Sequence, residues 1–259
     1  MKELANEIVA WLNNYAKKNG AKGWVIGVSG GVDSALVSTL CAMTGLPTHC
    51  VILPCQTKGD QTSRGEKHID WLQDNYNNVV FHKIDLTTTF EAFREEVRID
   101  YNNDLAFANT KSRLRMIALY QVACCKGAFV VGTGNKVEDF GIGFFTKYGD
   151  GGVDISPISD LTKTEVRQMC RDLGVLPELS EAVPTDGLWA DTRTDEDAIG
   201  ASYEELEWAM KWVEDGKGCY STVLLEGLTP RQKQVLEIYT TRHAATLHKL
   251  APIPTFRRE

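Results

Sequence analysis

Apolar positions along this chain switch between two spacings, and the order of the switches predicts its architecture. Leu4, Ile8, Trp11, Leu12 and Tyr15 recur at helical intervals ahead of Gly20, so residues 2–19 read as an amphipathic helix. The β-branched run at 24–28 reads as a buried strand. From Asp33 onward Ala35, Leu36, Val37, Leu40 and Met43 return to helical spacing, with Gly45 as the stop. Strand 49–53 then ends at Pro54, and a polar loop, 55–65, leads to a helix near 66–76. Strand 79–85, helices near 87–97 and 112–126, and a strand at 128–133 entering a glycine-rich turn complete the series. Such alternation predicts one α/β domain: a doubly wound parallel sheet with helices on both faces.

Beyond residue 160 the signals are helical only. Thr162-Lys163-Thr164-Glu165 is a capping-box pattern that opens a helix running to Leu173 and Gly174. Ser202-Tyr203-Glu204-Glu205 repeats it before 203–213, and Thr229-Pro230 supplies a cap and a first-turn proline for 230–242. These are additional C-terminal helices. Residues 184–201 are polar and acidic without periodicity, and read as a mobile loop with a lid as one role.

Composition narrows the function classes. With 259 residues, 43% hydrophobic and 24% charged, the chain suits a globular protein with a substantial core. No apolar run approaches a membrane span, and the acidic start lacks a signal-peptide block, so neither membrane insertion nor export is expected. Seven cysteines form no C-x-x-C pair, which suits reduced thiols in the cytoplasm. The net charge of −7 counts against nucleic-acid partners. It also sets a condition: phosphate binding requires positive charge concentrated locally, with Arg113, Arg115, Lys147, Lys163, His248 and Lys249 as candidates.

The chemistry starts at the first strand end, Gly27-Val28-Ser29-Gly30-Gly31-Val32-Asp33-Ser34. Glycines allow a sharp turn close to a ligand, and the free N–H groups of the helix start make an anion site. Ser29 and Ser34 add hydroxyls, and Asp33 places a carboxylate where phosphate-bound Mg²⁺ would sit. The lysine of the common phosphate loop is absent. The pattern instead resembles the pyrophosphate loop of N-type ATP pyrophosphatases, which cleave ATP between its α- and β-phosphates.

A second constellation lies at 132–154. Gly132, Thr133 and Gly134 leave a strand on the same rim, and Glu138 is placed to share a metal ion with Asp33. This stretch, with the first loop, closely resembles the NAD synthetase family. The resemblance extends through Lys111 to Met116, Leu161-Thr162-Lys163, Pro184-Thr185, Gly187-Leu188-Trp189, Thr194 to Asp197 and His248-Lys249. The interval from Thr133 to Lys147 is one residue longer than in typical members, leaving Glu138 and Asp139 as alternatives for the metal position. Glu138 keeps the spacing from Thr133.

The resemblance implies that residues 27–34, Thr133, Lys163 and Thr185 bind ATP, with Asp33, Lys163 and Thr133 catalytic. It implies Mg²⁺ on Asp33 and Glu138, and deamido-NAD on Arg113, Lys147, Asp154, His248 and Lys249. The implied reaction is adenylation of the nicotinate carboxylate, then displacement of AMP by ammonia to give NAD. Asp150 or Asp154 is a candidate for binding ammonium or taking its proton. The length favours free ammonia over an attached glutaminase domain, with a separate glutaminase subunit as the alternative source. A homodimer is implied too, with the N-terminal helix and residues 112–126 suited equally to an interface or to the core. The rival readings are another enzyme with this loop, of the GMP synthetase or tRNA-thiolating kind, and a nucleotide-binding regulator without activity.

Overall fold

The computed structural model describes residues 1–57, 60–181, 194–217 and 227–258. Four parallel strands form the sheet: β1 (Trp24–Gly27), β2 (Thr48–Ile52), β3 (Val79–Lys83) and β4 (Phe129–Val130), in the order β3-β2-β1-β4. The register pairs Trp24 with Thr48 and with Phe129. Side-chain alternation along β1 divides the core. Trp24 and Ile26 enter a cluster with Leu12, Leu36, Leu40, Val166 and Met169. Val25 points the other way, with Val51, Val130, Phe90, Phe107 and Ala118. Thus α1 (Lys2–Asn19) and α2 (Val32–Met43) cover one face, while α3 (Gln61–Asn75) packs on β2 through Ile52, Ile69 and Leu72. The helices α4 (Thr87–Val97) and α5 (Asp104–Lys126) cover the opposite face.

The expected doubly wound sheet is therefore present, with differences at the boundaries. Helix α3 starts inside the stretch read as a loop, and α5 begins at Asp104 because the Asn103 side chain accepts from Ala106 N–H. The regular part of β4 is two residues long; beyond it, Val131 pairs with Ile155 in a single parallel bridge.

Among the described residues the remaining α-helices are α6 (Lys163–Asp172), α7 (Pro177–Ser180), α8 (Asp195–Ile199), α9 (Tyr203–Trp212) and α10 (Pro230–Leu250). Capping boxes at Thr162 and Ser202 form as their sequences predict, and the cap expected at Thr229 forms too, completed to a box by Gln232. Helix α8 lies within the segment read as a loop, and its own box joins Thr194 to Asp197. The rest of that lid reading, 184–193, falls outside the described residues. A third core, with Val137, Ile142, Tyr203, Leu206, Val235 and Tyr239, joins these helices to the segment after β4. Among the described residues no helix is long and apolar enough to cross a membrane.

His68 gives this fold a pH dependence. It is fully buried on α3, with Nε2 2.9 Å from Ser38 Oγ and its ring stacked on Trp71. Nδ1 has no partner. Burial lowers its pKa from 6.5 to about 4. The folded state thus resists a proton that the unfolded chain accepts, so this stability is complete above about pH 6.5 and is lost as pH falls toward 4. The ceiling is roughly 3 kcal/mol. Urea unfolding between about pH 7 and about pH 4.5 is expected to show a shallower loss in His68→Phe than in wild type. Parallel curves for the two proteins would remove His68 from the acid response.

Candidate active site

The sheet order reverses between β1 and β4, and a cleft of about 290 Å³ opens beyond the carboxyl ends of those strands. Val28 to Val32 wall one side and Leu53 to Thr57 leave β2 beside them, with Val131 to Thr133 following β4. The three strand-end loops converge as the sequence predicts.

The first loop is built for close approach. Gly30 has φ 82°, and a Cβ there would run into the Gln61 carbonyl at the start of α3. Ser29 Oγ accepts from Gly31 N–H at 3.2 Å and lies 3.1 Å from Ser34 Oγ, which donates to the Gly31 carbonyl. Gly31 caps α2 in extended conformation, so the N–H groups of Val32, Asp33 and Ser34 have no acceptor within the helix. They make an anion-binding nest at a positive helix end.

Asp33 is the second residue of α2 and meets two partners there. Lys163, first residue of α6, donates from Nζ to Asp33 Oδ2 at 2.6 Å and to Glu138 Oε1 at 2.9 Å. Asn135 donates from Nδ2 to Asp33 Oδ1 at 3.1 Å and to Glu138 Oε2 at 2.8 Å. All four carboxylate oxygens are engaged, by an ammonium on one side and an amide on the other. The Lys163 side chain is only 3% exposed, against 15% for each carboxylate. Burial opposes its charge, but Asp33 and Glu138 outweigh burial and hold its pKa above the ordinary lysine value. Tyr203 closes the arrangement from α9: its hydroxyl donates to Glu138 Oε1, and its ring lies 4.8 Å from Lys163 Nζ.

Glu138 sits in a six-residue π-helical segment, Lys136–Gly141. Its wide turn is visible in the bond from Ile142 N–H back to the Val137 carbonyl, five residues earlier. Asp139 turns instead onto Gly134, leaving no room for a Cβ there. Burial, then Asp150, Glu138 and Asp33, push the Asp139 carboxyl well above the usual range. Burial likewise raises Asp150, though Ser112 Oγ and Thr146 N–H donate to it.

Two hard carboxylates around a position already claimed by a cation suit Mg²⁺, which takes one or two carboxylates and completes its shell with water and phosphate. The described residues contain no group of three metal-ligating side chains, so the rest of such a shell must come from a ligand.

Of the residues singled out in the sequence, 27–29, 31–33, Thr133, Glu138 and Lys163 line the cleft, as does Arg115, which donates to the Leu53 carbonyl; Gly30 and Ser34 of the same loop do not line it. Arg113, Lys147, His248 and Lys249 gather on the outer side of loop 143–150. Arg113 reaches the Lys147 carbonyl, Lys147 the His248 carbonyl, and Lys249 the carbonyls of Gly143 and Phe145 at 2.8 Å each. Asp154 accepts from Val130 N–H and Tyr120 OH beside β4. None of these five lines the cleft, although Gly149 and Asp150 of the intervening loop do. Thr185 lies outside the described residues. Sequence reading missed Arg64, which lines the cleft and donates to the Gly30 carbonyl at 3.3 Å. Its signal was its position, in the polar stretch leaving β2. Asn135 and Tyr203 were missed as well.

A family model described as NAD synthase matches residues 4–252. The NH(3)-dependent NAD(+) synthetase of Methanococcoides burtonii is 35% identical over 96% of this chain and 95% of its own length. Among solved structures, the NMN synthetase of Francisella tularensis is 32% identical with a TM-score of 0.83, covering 98% of both chains. The NH3-dependent NAD synthetase of Campylobacter jejuni has the same fold, at 23% identity and a TM-score of 0.78 over 99% of both chains.

Lys163→Met tests the buried cation. Two carboxylates then lack a counter-charge, and unfolding free energy is expected to fall by about 3–5 kcal/mol. Millimolar Mg²⁺ without nucleotide should restore part of that loss, and raise the melting temperature far less in wild type. Equal responses would show that Lys163 does not hold the cation position.

Proposed function

The chain belongs to the NAD synthase family, and from that premise we propose that it ligates ammonia to the nicotinate carboxylate of deamido-NAD, using ATP. One observation carries the reading. The Ser29–Ser34 nest, the Asp33–Glu138–Lys163 centre and the Gly149–Asp150 loop all face a single cleft at the topological switch point. A carboxylate does not react with ammonia directly because its leaving group would be oxide. Attack of the carboxylate on the α-phosphorus converts it to an acyl adenylate and releases pyrophosphate. Ammonia then displaces AMP and leaves the amide.

The residues divide this work. The N–H groups of Val32 to Ser34, with Ser29 Oγ, receive the growing charge on pyrophosphate. Thr133, Arg64 and Arg115 stand along the cleft where phosphates lie, and the guanidinium fork suits paired oxygens. Lys163, bonded to both carboxylates here, would stabilise phosphate charge in the nucleotide complex. Asp33 and Glu138 would hold Mg²⁺, which would supply charge neutralisation on the polyphosphate. Phe144, Gly149, Asp150 and Gly152 line the part of the cleft left for the acceptor ring. Arg113, Lys147, His248 and Lys249 lie beyond that loop, where the outer half of a dinucleotide would reach.

The same cleft supports a second acceptor. The likeness to the Francisella tularensis NMN synthetase covers nearly the whole chain, which favours nicotinate mononucleotide as the alternative. The ammonium groups of Lys147 and Lys249 already bond to backbone carbonyls. A mononucleotide needs neither.

A homodimer fits the exposed apolar side chains of Ile117 on α5 and Trp11 on α1. The six described cysteines are free thiols, in keeping with a cytoplasmic protein.

Mass spectrometry of products from ATP, Mg²⁺ and ammonium, with deamido-NAD and nicotinate mononucleotide in separate reactions, tests the proposal. NAD and AMP are expected from the dinucleotide. NMN alone would move the assignment to the second acceptor, and no amide from either would end both readings. Glutamine in place of ammonium is expected to give no product. Asp33→Ala should lower kcat by roughly 10²–10³, and turnover within twofold of wild type would remove Asp33 from the mechanism.

A further inference from the structure

We propose that Asn135 is the positioning residue that sets the separation of the two magnesium carboxylates, an inference that rests on the metal reading above. Its side chain is completely buried and uses every bond an amide can make. Oδ1 accepts from Val137 N–H at 3.1 Å and Glu138 N–H at 3.0 Å, capping the π-helical segment. Nδ2 donates one hydrogen to Asp33 and the other to Glu138. With two acceptors that must face backbone N–H groups and two donors that must face carboxylates, the amide has one permitted orientation.

Capping alone does not account for this residue. A cap needs only an acceptor, which serine, threonine or aspartate also provides. The Nδ2 half is committed to joining a residue of α2 to a residue of the π-helical segment. It holds Oδ1 and Oε2 from the side away from Lys163. The opposite oxygens, Oδ2 and Oε1, are the pair that Lys163 bridges. Oε1 also accepts from the Tyr203 hydroxyl, so a turn of Lys163 toward a bound phosphate would release only its own two bonds, while Asn135 would stay in place and keep the carboxylates at a fixed spacing. The ion therefore meets a preorganised pair, despite the repulsion that would drive two bare carboxylates apart.

The test is Mn²⁺ binding followed by electron paramagnetic resonance, with α,β-methylene ATP present and no acceptor. Asn135→Ser keeps the cap and removes the bridging donor. Its Mn²⁺ dissociation constant is expected to rise by about 10–100-fold, the usual scale for losing a partner behind a metal ligand. Affinity for the analogue without metal should stay within about threefold. Asn135→Asp keeps both size and cap but turns the donor into an acceptor. The like charge it brings to Asp33 and Glu138 is expected to lower the melting temperature and, in the folded protein, to reduce turnover about tenfold or more at saturating ATP and Mg²⁺. This second variant decides the matter if the serine variant does not fold. Mn²⁺ affinity unchanged in Asn135→Ser would overturn the proposal. So would an equal loss of analogue binding without metal, which marks general damage to the cleft. Because no acceptor enters the binding measurement, these outcomes are separate from failure of the product assay.

Discussion

Two partly buried carboxylates within reach of one buried ammonium govern this structure. Asp33 and Glu138 come from distant parts of the chain, and side by side in a low dielectric neither tolerates the other without a cation between them. Lys163 supplies it from an unfavourable place. It is the first residue of α6, where the helix field disfavours positive charge. What holds it there is the carboxylate pair, with the face of Tyr203 beneath. The same contacts tie α2 to α6, to the segment after β4, and through Tyr203 to the C-terminal helices. The centre that prepares the cleft for a polyphosphate is also the joint between the sheet and its added helical layer.

That arrangement explains how a chain of net charge −7 presents a site for polyanions. The attraction comes less from lysines than from oriented N–H groups at the α2 start, two arginines with fixed guanidinium planes, and a centre designed around a cation. Of the six basic residues expected to concentrate charge, only Arg115 and Lys163 line the cleft. The field is local and directional, so the global sign does not matter.

Legibility in the sequence followed the range of each cause. The first loop was legible because strand, glycines and helix start are contiguous, and the order of strands and helices follows from periodicity alone. Capping boxes were legible at Thr162 and Ser202, and the cap at Thr229, for the same reason. Asn135 was not, because half of its role depends on Asp33, which the chain brings to it only through the fold. Tyr203 looked like an ordinary first-turn residue after a cap; its hydroxyl acquires meaning only when α9 packs against the π-helical segment. Lys249 read as a ligand residue from its neighbour and its resemblance, yet its ammonium braces the backbone of Gly143 and Phe145. Helix α8 was hidden because five acidic and apolar residues carry too little periodicity to register.

The wide turn at Lys136–Gly141 bears on how two neighbouring acids come to face opposite ways. The segment is anchored on both sides: Gly132 N–H bonds to the Ile155 carbonyl, and Lys147 is held by the end of α10. In an ordinary α-helix successive side chains stand about 100° apart. A π turn takes up one more residue per revolution, and so acts as an expansion joint between fixed ends. Asn135 holds the Glu138 backbone N–H at the start of that turn. From there the Glu138 carboxylate reaches Lys163, while the Asp139 carboxylate closes on Gly134.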